Sequence, residues 1–242
     1  MVGSVLKDTL LILSLYNTIM NLSLIAEQFV KDINSKNIVA IASFDNDLEL
    51  ITKIIDFSKK ENKEPFFVPI NVKQSKLIHS LKQKIVSLND KEIDAAIEIA
   101  NQVDYYNNFV KLKTNSFIRD KMISQSALKL FVIVDSKNYV PEINSDVCVE
   151  ISTFAWQRTI IHLQSFGFAQ AIYDTKSEFI KSEIGHYLVK IKLDKNITLD
   201  DFEYSIRNIP GVLESGVFLG LADSIYIYDS EKDSLSVRKR ED

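Results

Sequence analysis

Between Gly3 and Gly167 the chain contains no glycine, and it has only six in 242 residues. Loops that cradle phosphate use glycine so that backbone N–H groups can converge on the anion, so an ordinary glycine-rich phosphate loop is excluded from most of the sequence. Four prolines, with no repeat and no low-complexity tract, leave no linker of the usual composition. The one cysteine, Cys148, cannot form an internal disulfide; inside the apolar run DVCVEIS it is expected to be a small buried hydrophobe in a reducing, cytoplasmic setting. Three histidines, His79, His162 and His186, lie far apart and none has a partner at a ligand-type spacing, so no metal site is expected. The apolar N-terminus is interrupted by Asn17, Thr18 and Asn21 before it reaches membrane-spanning length, and a buried helix is expected there rather than a signal or anchor. A formal charge of -4 and a pI near 5.5 give no electrostatic footprint for nucleic acid, and the SVRKRED run near the C-terminus mixes both signs.

With 46% hydrophobic residues, the chain has material for one large core or two smaller ones. From Asn37 onward bare apolar runs alternate with segments of helical periodicity. NIVAIASF (37–44), EPFFVPI (64–70), KIVSL (84–88), DAAIEIA (94–100) and LFVIVDS (130–136) read as strands. LELITKIIDFSKK (48–60), KQSKLIHSLKQ (73–83) and SFIRDKMISQSALK (116–129) read as the helices between them. Strands buried on both faces and separated by helices imply a mostly parallel, doubly wound sheet, with any ligand beyond the carboxyl ends of the strands. After Pro141 the pattern becomes strand, helix, strand, strand, helix, strand: DVCVEIS, TFAWQRTIIHLQSFG, FAQAIYD, HYLVKIKL, LDDFEYSIRNI and GVLESGVFL. That order is a ferredoxin-like split βαβ unit. ADSIYIYD (222–229) then reads as a strand that rejoins the first sheet. The expected division is a Rossmann-like domain of residues 1–144 with 220–242, carrying an inserted ferredoxin-like α+β lid domain of residues 145–219.

The loop after the first strand, SFDND, puts Asp45 and Asp47 at the start of a helix with Glu49 just behind. Acidic residues there complement the helix dipole and Asp or Asn can cap its free amides, while the same charges repel phosphate.

Three stretches resemble ribose-5-phosphate isomerase A. IPGVLESGVFLGLAD (209–223) is similar to that family's I-P-G-V-x-x-x-G-L-F-x-x-x-A-D segment, VEISTFAW (149–156) to its V-E-V-I-P-x-A run, and FVIVDSK (131–137) to its strand ending D-x-S-K. The resemblance implies interconversion of ribose 5-phosphate and ribulose 5-phosphate without metal or organic cofactor. A carboxylate would move a proton between C1 and C2 through an enediol, and a strand-to-helix loop would hold the phosphate. It also implies a homodimer or homotetramer acting on a pentose 5-phosphate.

Carried over residue by residue, the resemblance shows what is kept and what is replaced. The family's G-x-G-T-G-S-T phosphate loop matches Ala40 to Asn46, where only Ser43 keeps a hydroxyl at a matching position and Asn46 keeps a polar group. Its serine-rich second loop matches VPINVKQ (68–74), which has no serine. I-D-G-A-D-E-V-D matches IEIANQVD (97–104), so Glu98, Asn101 and Gln102 stand for three acids and only Asp104 is kept. K-G-G-G-G becomes KLKTN (111–115), and R-E-K becomes RDK, which puts Asp120 in the place of the catalytic glutamate. Lys111 and Lys137 match substrate-binding lysines. The catalytic candidates are therefore Asp120 and Glu98, and the substrate-binding candidates are Lys111, Lys137, Ser43, Asn46 and Asn101. Three readings follow: a family member with low or no isomerase activity, which is favoured; a working isomerase with Asp120 as base; and a non-enzymatic protein that binds another small ligand or regulates a partner.

Overall fold

The computed structural model describes residues 20–240. The expected N-terminal helix falls largely on residues outside that range; the part described is α1, Leu22–Asp32, capped by Asn21, whose side chain accepts from the Ser23 amide at 3.2 Å. The strands of the main sheet are β1 (Ile38–Ile41), β2 (Phe66–Val68), β3 (Ala95–Ile99), β6 (Leu130–Asp135), β13 (Ser224–Asp229) and β14 (Ser234–Lys239). They lie in the order β14-β13-β6-β3-β1-β2, parallel except for β14, which runs antiparallel on β13. ADSIYIYD thus rejoins the first sheet as expected, through β13 on β6.

Period-two alternation distributes each strand between two cores. Val39, Ile41, Ile97, Phe131 and Ile133 pack with α1 and with α2 (Asp47–Lys60). Ala40, Ala96, Leu130, Val132 and Val134 face the other way, toward Ile123 of α4 (Phe117–Ser126), the helix that follows α3 (Val72–Ser80) in the chain. Glu98 is two residues beyond Ala96, so the same alternation sends its carboxyl to the α4 side. The mixed α/β architecture with a central parallel, Rossmann-like sheet is the one expected.

Residues 147–215 build a second sheet from β8 (Val147–Ile151), α5 (Trp156–Leu163), β9 (Gly167–Ala171), β10 (Tyr187–Leu193), α6 (Leu199–Ile206) and β11 (Val212–Ser215). Its order is β11-β8-β10-β9 with every pair antiparallel, the arrangement of the ferredoxin-like unit. A third, small sheet is made of β12 (Val217–Phe218), β5 (Phe109–Val110), β4 (Gln102–Asp104) and β7 (Tyr139–Val140). Val110 and Val217 of this sheet enter the core of the antiparallel unit.

Some local expectations are corrected. KIVSL does not form a strand: Ile85 makes a single bridge to Phe67 and is partly exposed. The short strands β4, β5 and β7 carry too few residues to show a period, and the charged β14 was not expected. GVLESGVFL divides at Gly216 into β11 and β12, which belong to different sheets. The Gly216 N–H donates to the Cys148 carbonyl at 2.8 Å while its own carbonyl accepts from the Lys111 N–H at 2.8 Å. A Cβ at this position would stand 2.2 Å from the Lys111 carbonyl oxygen and 2.6 Å from the Phe117 ring. Backbone cannot yield that space cheaply, so Gly216→Ala is expected to cost about 1–3 kcal/mol, the usual range for overpacking, measured by urea denaturation.

Candidate functional site

Three of the residues singled out in the sequence meet in one buried cluster. Glu98 sits near the end of β3, Lys111 directly follows β5, and Asp120 lies in the first turn of α4. The Lys111 ammonium donates to Glu98 Oε2 at 2.6 Å and to Asp120 Oδ2 at 2.5 Å, with both carboxylates at 0% exposure. Thr114 Oγ1 also donates to Asp120 Oδ2, the Ser43 N–H donates to Asp120 Oδ1 at 3.3 Å, and Ser124 Oγ donates to Glu98 Oε1 at 3.2 Å. Each oxygen of the Asp120 carboxylate is thus engaged by the protein itself.

One ammonium serves two carboxylates here, and burial penalises every uncompensated charge. Burial, with a smaller push from the Asp120 charge, outweighs the attraction of Lys111 and raises Glu98 to about 8. Burial alone would lower Lys111, but the two neighbouring carboxylates overcome it and hold the ammonium above its ordinary range. Burial and the shared ammonium thus push both Glu98 and Lys111 toward keeping their protons, an arrangement that spends its charge internally.

The start of α4 is gripped from two sides. Toward the parallel sheet, Asp120 and Ser124 share one helical face four residues apart. Toward the antiparallel unit, Ser116 Oγ and the Phe117 N–H donate to the buried Glu150 of β8 at 3.4 and 2.9 Å, and Glu150 also meets His186 Nδ1 at 2.9 Å. Arg119 pairs with Glu183 at 2.9 Å, and Lys121 pairs with Glu203 and Glu214 at 2.8 and 2.9 Å. The helix that carries Asp120 is thus fixed to both sheets.

The remaining candidates divide. Ser43 is buried and joins the cluster through its backbone, while its hydroxyl accepts from Asn115 Nδ2. Asn46 and Asn101 line an open cleft at the carboxyl ends of β1, β3 and β6. Asn46 stands at the N-cap of α2 but makes no capping bond with its side chain; the first turn carries Asp47 and Glu49. Asp47 instead turns inward and accepts from Gln74 Nε2 at 3.0 Å, its carboxyl raised by burial. Asn101 accepts from the Leu112 N–H. Lys137 does not reach the cluster: it is exposed and paired with Glu231 at 2.8 Å. In the same stretch, Gln102 accepts from the Asn144 and Ser145 N–H groups at 3.0 Å each, and the retained Asp104 closes a turn by accepting from the Tyr106 and Asn108 N–H groups at 2.9 Å each.

Thr114, Ser124, Glu150 and His186 were not singled out in the sequence. The Glu150–His186 pair is 36 residues apart, and a histidine judged by ligand spacing gives no sign of a distant carboxylate partner. Cys148 is fully buried, as expected of a small core hydrophobe, and that burial pushes its thiol up to about 12. Among the described residues no group of His, Cys, Asp and Glu is placed to hold a metal ion, and no helix is long and apolar enough to cross a membrane.

A parallel sheet joined to an antiparallel α+β unit is also the fold of solved ribose 5-phosphate isomerases. A D-ribose-5-phosphate isomerase solved with phospho-erythronic acid superposes with a TM-score of 0.80 over 90% of this chain and 97% of that one, at 22% identity. Ribose 5-phosphate isomerase A from Methanocaldococcus jannaschii gives 0.79 over 90% and 98%, at 19% identity. Among curated relatives, ribose-5-phosphate isomerase A 1 of Oceanobacillus iheyensis is 28% identical over 62% of this chain and 66% of its own length. Ribose-5-phosphate isomerase A 2 of the same organism is 24% identical over 87% and 95%. The family model for ribose 5-phosphate isomerase A (phosphoriboisomerase A) matches residues 66–232, and the chain belongs to that family.

The cluster has a pH signature. Glu98 keeps its proton in the folded state up to about 8, whereas in the unfolded chain it ionises near the ordinary 4.5. Its contribution to stability is full below that ordinary value and is lost as pH rises toward the folded one. Glu98→Gln, which mimics the protonated acid, is expected to flatten the fall in stability over that window in chemical denaturation. Lys111→Met removes the shared ammonium and is expected to cost about 3–5 kcal/mol near neutral pH. The cost should shrink in acid, where protons can replace the missing charge; a cost that does not change with pH would contradict the assignment.

Proposed function

We propose that this chain is a ribose-5-phosphate isomerase A family protein with a degraded active site and low or no isomerase activity, residues 145–219 forming the lid of a Rossmann-like domain made of 1–144 and 220–242. The observation that supports it best is the state of Asp120. A base that moves a proton between C1 and C2 must present a free oxygen lone pair to the substrate. Asp120 is fully buried, its Oδ2 held by Lys111 and Thr114 and its Oδ1 turned to the Ser43 N–H, so burial keeps its remaining lone pair from the cleft. An aspartate in place of a glutamate also withdraws the carboxylate by roughly 1.5 Å, and misplacement of about 1 Å can cost on the order of a hundredfold in rate. The phosphate side weakens the reading as an enzyme further, since Asp45 stands in the loop after β1 and the buried Asp47 opens α2.

The opposing reading is a working isomerase with Asp120 as base and Glu98 and Lys111 beside it. In its favour, both carboxylates converge on one lysine although each has the other's expected length. It requires the cluster to open on substrate binding. A coupled assay with ribose 5-phosphate separates the two. The expected result is turnover at least about a hundredfold below the ~10 per second typical of enzymes. Turnover on the order of 1 per second or more, abolished by Asp120→Ala, would overturn the degraded reading.

A further inference from the structure

The cleft at the carboxyl ends of β1, β3 and β6 has a cavity volume of about 100 Å³. One water needs only ~10–15 Å³ of such space, so the cleft has room for a small organic molecule. Its lining includes Phe44, Asp45, Asn46, Asn101, Lys113 and Asp135. Among the described residues Lys113 is the one cation in that lining, and its ammonium lies 2.8 Å from both carboxylate oxygens of Asp45. Asp135 adds a second carboxylate, with one oxygen accepting from the Lys137 N–H at 2.9 Å. A phosphate monoester, close to doubly charged near neutral pH, would meet a lysine already neutralised and two carboxylates. Among the described residues the lining holds no glycine to build an amide nest that would compensate.

An uncharged sugar finds better chemistry on the same wall. Its hydroxyls can donate to Asp135 and Asp45 and accept from the amide groups of Asn46 and Asn101, whose side chains carry both donors and acceptors. Its C–H face can cover Phe44, which is half-buried at the cleft and packed against the core. We infer that this cleft binds an uncharged, sugar-like polyol and discriminates against the phosphate ester, with the Asp45–Lys113 pair as the element that sets the preference. The inference rests on the reading of a lost phosphate site given above, and names what the site accepts in its place.

Ligand-observed NMR titrations of the full chain with D-ribose and with ribose 5-phosphate test it. Ribose is expected to bind in the millimolar range, with ribose 5-phosphate at least about tenfold weaker, a difference of ~1.4 kcal/mol. Asp45→Asn removes one carboxylate and releases the Lys113 ammonium, so it is expected to move the ratio at least about tenfold toward the phosphate, and to do so less at high salt. Adding Lys113→Met should cancel that gain. Equal or tighter binding of ribose 5-phosphate by the unmodified protein would overturn the inference, as would no binding of ribose at tens of millimolar. A preference for ribose that Asp45→Asn leaves unmoved would overturn the role of the pair. Turnover reports on Asp120, whereas this ratio reports on Asp45 and Lys113, so either reading can fail without the other.

Discussion

One ammonium group shared by two buried carboxylates is the constraint around which this molecule is arranged. Lys111 can sit between Glu98 and Asp120 only if β3 delivers Glu98 on the α4 side, if the chain turns after β5 at the right place, and if α4 starts where Asp120 faces inward. Gly216 allows that turn, since its carbonyl takes the Lys111 N–H and its missing Cβ leaves room for the Lys111 backbone and the Phe117 ring. Glu150, Glu203 and Glu214 then hold α4 from the antiparallel unit. Buried ion pairs are a weak source of net stability but costly to break on one side, so the cluster fixes geometry more than it adds free energy.

The departures from the family pattern come in matched sets. Glu98 lengthens one acid where Asp120 shortens the other, and the lysine still reaches both. Asp45, in the loop that should hold phosphate, pairs with Lys113, which stands where the family has glycine. Asn115, from the same replaced run, donates to the hydroxyl of Ser43. The segment after β1 and the segment after β5 are thus bonded to one another.

Much of the fold was legible because strands buried on both faces leave an unmistakable apolar run, as in IVAI, AAIEI and LFVIVD, and because β8 to β11 follow a known order of elements. The short strands around the site were not, since two or three residues carry no period, and the split at Gly216 depends on which sheet each half can reach. In the site, Glu98, Lys111 and Asp120 could be placed only through the resemblance. Their burial and mutual engagement could not, because sequence does not show that Thr114 and Ser43 turn toward Asp120. Lys137 was drawn from the same resemblance, and its partner Glu231 lies far along the chain, outside any local pattern.

The most direct measurement is deuterium wash-in at C2 of ribose 5-phosphate, followed by NMR in heavy water, because it detects proton abstraction even when product release is slow. A carboxylate sealed by Lys111, Thr114 and the Ser43 amide should leave C2 exchanging no faster than in buffer. Rapid deuterium incorporation that disappears in Asp120→Asn would show that Asp120 reaches the substrate and would contradict a sealed site.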